Sequence, residues 1–153
     1  MNLGLDIYFA VSISGGREYV EYYRDIADYL GGYGRILNVH ITDRGLTSMG
    51  EQGVDDALIH ERDMKWLGKS KVLVAEVTQA SLGVGYEIGR IDERNLWVPE
   101  DARKSILCLY QPQIDKRLSA MIKGSSGITN AEYRNMGEAI YEIDKFFHPT
   151  RRN

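Results

Sequence analysis

Short runs rich in β-branched and aromatic residues alternate along this chain with stretches whose apolar residues recur every three or four positions, and that rhythm constrains the fold more than any other feature. The runs at residues 6–11, 35–41, 71–77 and 105–110 are bounded by Gly, Ser or charged residues and have strand length. A brief further strand is expected around residues 128–133. Between the runs, Val20, Tyr23, Ala27 and Leu30 form a helical stripe that stops at Gly31-Gly32, as a helix C-terminus does. A second helix is expected at about residues 54–67, with Ala57, His60, Met64 and Leu67 on one stripe and Ile59, Asp63 and Trp66 on an adjoining one. A third begins near Leu82 or Gly83 and carries Glu87 in its opening turns. The last covers residues 135–147 and buries Met136, Ala139, Ile140, Ile143 and Phe147.

Strands alternating with helices predict an α/β fold, because crossover helices must cover both faces of strands this apolar. The expectation is a doubly wound, mostly parallel five-stranded sheet flanked by helices in three layers, Rossmann-like or flavodoxin-like. Ligands in such sheets bind outside the carboxyl ends of the strands. Chemistry is therefore sought at residues 12–17, 42–53 and 78–85.

With 153 residues, 43% of them hydrophobic, the chain can bury one sizeable core, and three prolines without a Ser/Pro or Gly/Ser run leave no linker. Residues 1–153 are read as a single domain. No apolar stretch is membrane-sized, and the first residues lack the basic start and cleavage site of a secretory signal, so a soluble cytoplasmic protein is expected, or a nuclear one in a eukaryote. Cys108 is the only cysteine and lies inside the apolar run 106–110, which leaves no disulfide framework and no thiolate metal cluster. His40, read as ending a strand, His60 on a helix and His148 in the tail share no ligand spacing, so neither metal nor other cofactor is expected. A net charge of −3 supplies no basic field for a nucleic-acid polymer, and a small-molecule partner is the expectation.

The first strand runs through Ser12, Ile13, Ser14, Gly15, Gly16 and Arg17 straight into a helix. Small residues there let backbone N–H groups approach an anion at a helix N-terminus, although Gly-Gly equally makes a tight strand-to-helix turn. After the third strand, Gly83, Gly85 and Gly89 crowd a helix start at a cost in helix propensity, which close approach of a ligand explains. Glu87 can present a carboxylate to an electrophilic carbon while Ser81 and nearby N–H groups hold an anion; alternatively Glu87 complements the helix dipole and Ser81 caps the helix. Asp63 is a candidate second carboxylate or a solvated residue paired with Arg62 or Lys65. Glycosidic cleavage gives the pair a purpose, since one carboxylate must lie below the sugar while another group helps the leaving base. Lys116, Arg117 and Lys123 flank a short amphipathic segment at residues 118–122, which reads as a surface helix or as an arm reaching a neighbour's phosphate site.

These motifs together resemble one family. Tyr8-Phe9 with Ser12-Ile13 and Gly15-Gly16-Arg17, Ile59-His60-Glu61-Arg62-Asp63 with Trp66-Leu67, residues 74–90, residues 106–109 and residues 118–122 resemble, in order and over nearly the whole chain, the 2'-deoxynucleoside 5'-phosphate N-hydrolases of the nucleoside 2-deoxyribosyltransferase superfamily. The resemblance implies that Glu87 attacks the anomeric carbon to form a covalent intermediate, that Tyr8 positions it, and that Asp63 assists departure of the base. It further implies that Ser12 and Ser81 bind a 5'-phosphate, with Ile13, Ser14, Gly15, Arg17 and Gly83 around it, and that Ser119 reaches it from the partner subunit of a homodimer. Deoxyribosyltransferases generally carry Asp where Ser81 stands; a carboxylate repels a phosphate and a hydroxyl donor favours it, so Ser81 implies a monophosphate substrate. Ile13, near where the family places the sugar's 2' position, offers no partner to a 2'-hydroxyl, which favours the deoxy sugar. Rival readings are a ribonucleoside monophosphate N-hydrolase of the CMP type, a deoxyribosyltransferase, and a nucleotide-binding sensor without turnover. The chain departs from the family at Val11, commonly Gly, and Ser14, commonly Arg, and carries an extra segment at residues 91–104 that reads as an extended helix end or a loop.

Overall fold

The computed structural model describes residues 2–13, 19–42 and 51–149. Five strands, β1 (Leu5–Ala10), β2 (Gly34–Ile36), β3 (Val72–Glu76), β4 (Ser105–Tyr110) and β5 (Thr129–Glu132), form one sheet in the order β2-β1-β3-β4-β5. Every pairing is parallel, so the expected doubly wound sheet carries no antiparallel edge. Helices α1 (Val20–Leu30) and α5 (Met136–Phe147) pack on one face, and α2 (Asp56–Lys69) and α3 (Leu82–Trp97) on the other, completing three layers. A one-turn helix α4 (Ala120–Lys123) follows β4.

Alternation along the strands divides the core. Ile7, Phe9, Val72 and Val74 join Tyr23, Ile26 and Leu30 of α1 and Ala139 and Ile143 of α5, whereas Tyr8, Ala10, Leu73 and Ala75 join Leu67 of α2 and Val84, Ile88 and Ile91 of α3. Burial on both faces is what a parallel central strand demands, and all five residues of β3 are buried. In α5, Ala139 and Ile143 are fully buried, while Met136, Ile140 and Phe147, expected inside, are only half-buried.

Two boundaries differ from the sequence reading. The strand expected over residues 35–41 ends at Ile36, and the chain enters a 3-10 turn at Val39–Thr42 that includes His40. Asn38 is the reason. Its side-chain oxygen accepts from Phe9 N at 2.9 Å and its amide donates to Phe9 O at 2.8 Å, so a buried side chain takes over the ladder that the backbone abandons. The second helix begins at Asp56 rather than residue 54, because the Asp55 carboxylate caps it by accepting from Ala57 N at 2.8 Å. Its inward face is also rotated: Ala57 and His60 are exposed, and Leu67 with half-buried Ile59, Asp63, Met64 and Trp66 faces the molecule.

The extra segment at residues 91–104 continues α3 to Trp97 and adds a 3-10 turn at Glu100–Ala102. Asn95 exchanges two hydrogen bonds with the Lys104 backbone at 2.8 and 2.9 Å, and the Lys104 ammonium donates to Gly68 O at 2.8 Å and to Ser70 O, closing the C-terminal end of α2. Burial lowers the Lys104 pKa to about 8. No helix among the described residues is long and apolar enough to cross a membrane.

Candidate active site

The strand order reverses between β1 and β3, and their carboxyl ends open a crevice there, at the topological switch point where such sheets bind ligands. A cleft of about 520 Å3 is lined by Tyr8, Ala10, Val11 and Ile13 from β1 and its extension, Asn38 beyond β2, Asp63 of α2, and Ala80 through Val84 with Glu87 at the start of α3. It therefore gathers Tyr8, Ile13, Asp63, Ser81, Gly83 and Glu87, singled out from three separate stretches of sequence. Ser14, Gly15 and Arg17 lie outside the described residues.

At the floor of the cleft the Tyr8 hydroxyl donates to Glu87 Oε1 at 2.8 Å. Tyr8 is 2% exposed and issues from the inner strand β1, while Glu87 projects from the second turn of α3, so rigid elements fix both groups. Burial pushes the Glu87 carboxyl up to about 7; the Tyr8 hydrogen bond pulls it down and the Asp63 charge pushes it up. Burial, with the Glu87 and Asp63 charges, drives the Tyr8 hydroxyl well above its ordinary range, which keeps it a donor.

Asp63 lines the cleft and is also held by its neighbour, since Arg62 Nε donates to Asp63 Oδ1 at 2.9 Å. The same guanidinium grips Glu51 with bonds of 3.0 and 2.7 Å and lies 4.8 Å over the Trp66 ring. Hydrogen bonds from Arg62 above all, with its charge behind them, hold the Glu51 carboxyl below its usual range against the opposing effect of burial. Lys65 pairs with Glu61 instead. The two readings of Asp63 thus coincide: an ion pair fixes a carboxylate that faces the cavity.

Ser81 likewise does two things, capping α3 by accepting from Val84 N at 3.3 Å while lining the cleft. A methyl group at Gly85 or Gly89 meets nothing within 4 Å, and one at Gly83 meets only Ser81 Oγ at 3.9 Å, so packing inside the chain does not require these glycines. Ser12 is fully buried, and its Oγ has no hydrogen-bond partner among the described residues. It does not line the cleft, unlike its neighbours Val11 and Ile13.

Ser119 stands on the wall of a neighbouring cleft of about 580 Å3 that shares Ala80, Ser81 and Val84 with the first and is also lined by Lys116, Arg117 and Met121. There it caps α4, accepting from Met121 N at 3.3 Å. Lys123 lines a further hollow with Lys116 and Arg117. Of the histidines, His60 meets the Tyr86 hydroxyl at 3.2 Å on the outer surface, and His148 packs beside Tyr33. Among the described residues no three His, Cys, Asp or Glu side chains gather as metal ligands do. The sequence reading missed Asn38, although an asparagine inside an otherwise strand-like run is a signal that the strand is interrupted.

Fold and cleft define a class: a doubly wound α/β protein whose strand switch point presents a carboxylate pair, the equipment that glycosidic cleavage requires. No family model matches the chain. It is 50% identical over 126 residues, 81% of this chain and 80% of the relative, to a Nematostella vectensis protein named "Putative 2'-deoxynucleoside 5'-phosphate N-hydrolase 1". It is 41% identical over 151 residues to the 5-hydroxymethyl-dUMP N-hydrolase of Danio rerio, covering 97% of this chain and 100% of the relative. Against the Homo sapiens protein of that name the identity is 41% over 144 residues, 92% of this chain and 78% of the relative. The chain belongs to the 2'-deoxynucleoside 5'-phosphate N-hydrolase family.

Proposed function

We propose that this protein hydrolyses the N-glycosidic bond of 2'-deoxynucleoside 5'-monophosphates, giving the free base and 2-deoxyribose 5-phosphate, with Glu87 as nucleophile. The observation that carries the reading is the 2.8 Å hydrogen bond from buried Tyr8 to Glu87 beside Asp63, at the base of a cleft rimmed by the N-terminus of α3. Tyr8 holds one carboxylate oxygen and thereby orients the group, and the other attacks C1'. The new C1'–O bond forms as the C1'–N bond breaks and the base leaves with the electron pair, its departure assisted by Asp63. Water then attacks C1', the C1'–O bond to Glu87 breaks with its electron pair returning to the carboxylate, and the proton that water gives up neutralises the departed base.

The 5'-phosphate is assigned to Ser81, Ser12 and the N–H groups at the start of α3, which suit an anion through hydrogen bonding and the helix dipole. Ile13 supplies an apolar wall that disfavours a 2'-hydroxyl. Ser119 is read as completing the phosphate site of a second copy in a homodimer. Leu82 and Met121, 96% and 83% exposed beside the two clefts, supply apolar surface for that contact. A cytoplasmic location fits a pool of free nucleotides as substrate.

The test is incubation with dGMP, GMP, dCMP, CMP, 5-hydroxymethyl-dUMP and deoxyguanosine, following free base by chromatography, beside Glu87→Gln. Base release from deoxynucleotides only, abolished in a folded Glu87→Gln, is the expected result. Equal turnover of ribonucleotides, or of the nucleoside, points to the other members of the superfamily, and binding without release to a sensor. For the dimer, mixing Glu87→Gln with a Ser119→Asp variant should restore activity that neither has alone, because one of the two sites in a mixed dimer is then intact.

A further inference from the structure

A second carboxylate is buried deeper than Glu87, and the proposed reaction does not use it. Glu76 ends β3 and is fully buried. The alternation that sends Val72 and Val74 toward α1 and α5 sends Glu76 to that side as well, away from the cleft, where Tyr133 lies. Glu76 Oε1 accepts from the Thr78 hydroxyl and, at 3.0 Å, from the Tyr133 hydroxyl, while Oε2 accepts from Thr78 N at 3.4 Å.

Both hydroxyls are themselves acceptors from one residue. Gln111 N donates to Thr78 Oγ1 at 2.8 Å and Gln111 Nε2 donates to the Tyr133 hydroxyl at 3.0 Å. An N–H group can only donate, so each hydroxyl must pass its own proton onward, and both converge on Glu76 Oε1. The proton directions of the network are fixed, and an acceptor is required at that one point. The network joins the ends of β3, β4 and β5, with Val77 N bonded to Leu109 O at 2.8 Å and Tyr133 N to Tyr110 O at 3.0 Å. Two segments leave from it: residues 77–81, ending at the Ser81 cap, and residues 111–119, ending at Ser119.

We infer that Glu76 is a positioning residue that, through Thr78, Gln111 and Tyr133, holds the segments carrying Ser81 and Ser119 in the register that grips the 5'-phosphate. The inference rests on the reading of the cleft given above. Glu76→Ala leaves two buried hydroxyl protons without an acceptor and frees both segments, whereas Glu76→Gln keeps an oxygen at the same place.

The experiment measures kcat, KM and melting temperature with a deoxynucleoside monophosphate for wild type, Glu76→Gln, Glu76→Ala, Thr78→Val, Ser81→Ala and Glu76→Ala/Ser81→Ala. Glu76→Ala should raise KM about tenfold, as loss of the charge-assisted bonds that order the phosphate loop would, with kcat much less affected. Glu76→Gln should recover most of the loss, and Glu76→Ala should cost clearly less in the Ser81→Ala background than alone, since only the Ser119 segment is then left for it to act through, the signature of residues acting through one another. A folded Glu76→Ala with unchanged KM, a Glu76→Gln as impaired as Ala, or an effect additive with Ser81→Ala overturns the inference. If Glu76→Ala does not fold, Thr78→Val carries the same comparison, since it keeps the β-branched shape and removes the relaying hydroxyl. Wild type that releases no base from any monophosphate overturns the reading of the cleft and this inference with it, whereas active wild type with uncoupled variants overturns this inference alone.

Discussion

Glu76 and Glu87 are buried carboxylates near the same end of one sheet, and burial pushes both to about 7. Their surroundings nevertheless differ in kind. Glu76 is enclosed by two hydroxyls whose protons are committed to it, and no cleft among those described is lined by it. Glu87 accepts from one hydroxyl, feels the like charge of Asp63, and lines a cavity. A shifted pKa therefore marks burial, which both share; access to a cavity and a neighbouring like charge separate the carboxylate proposed as nucleophile from the one proposed as a brace.

The sharpest way to break this comparison is to remove each charge while preserving its shape. Glu87→Gln should lower kcat at least about a thousandfold by removing the proposed nucleophile, whereas Glu76→Gln should retain turnover; comparable losses would erase the distinction. Tyr8→Phe comes next, with an expected fall in kcat of about ten- to a hundredfold. The pH profile sharpens it: attack needs ionised Glu87, so kcat/KM should rise with pH and level off above about 7. Because the Tyr8 hydrogen bond lowers the Glu87 pKa, Tyr8→Phe should move that limb to higher pH.

Stability carries the next prediction. The folded pKa of Glu87 is raised from 4.5 to about 7, so protonation stabilises the folded state, and that contribution, complete below 4.5, is lost as pH rises through 7. Glu87→Gln, permanently neutral, should therefore gain stability relative to wild type at pH 8 and little at pH 4. The ceiling is on the order of 3 kcal/mol, reduced by water at the cleft mouth. Denaturant unfolding at the two pH values checks it, and equal changes at both would contradict the assigned shift. The smallest effect expected is at Arg62→Leu, a fewfold loss of kcat from releasing Asp63, with Glu51 titrating at higher pH in the variant.

The alternation of apolar runs and helical stripes made the layered parallel sheet legible, since the inner strands β1, β3 and β4 announced their own burial. The gathering of Tyr8, Asp63, Ser81 and Glu87 was legible through the resemblance; locally, a cap and a catalytic group use the same residue types at a helix start, and Ser81 plays the former role while lining the cleft. The rotated face of α2 was not, because Ala57 and His60 fit an apolar period while the Asp55 cap sets where the helix begins. Neither was Glu76. In sequence it looks like a polar residue closing a strand, and its partners stand two, 35 and 57 positions away at Thr78, Gln111 and Tyr133.

The Asn38 bracket has a consequence for architecture. An amide that imitates one more rung lets the second strand stop early without leaving Phe9 unsatisfied, and the same Asn38 then lines the crevice with Tyr8. One side chain with both a donor and an acceptor thus stands in for a further stretch of strand at the crevice wall. Aspartate, nearly identical in shape, would turn a lone pair toward the Phe9 carbonyl and push that rim apart.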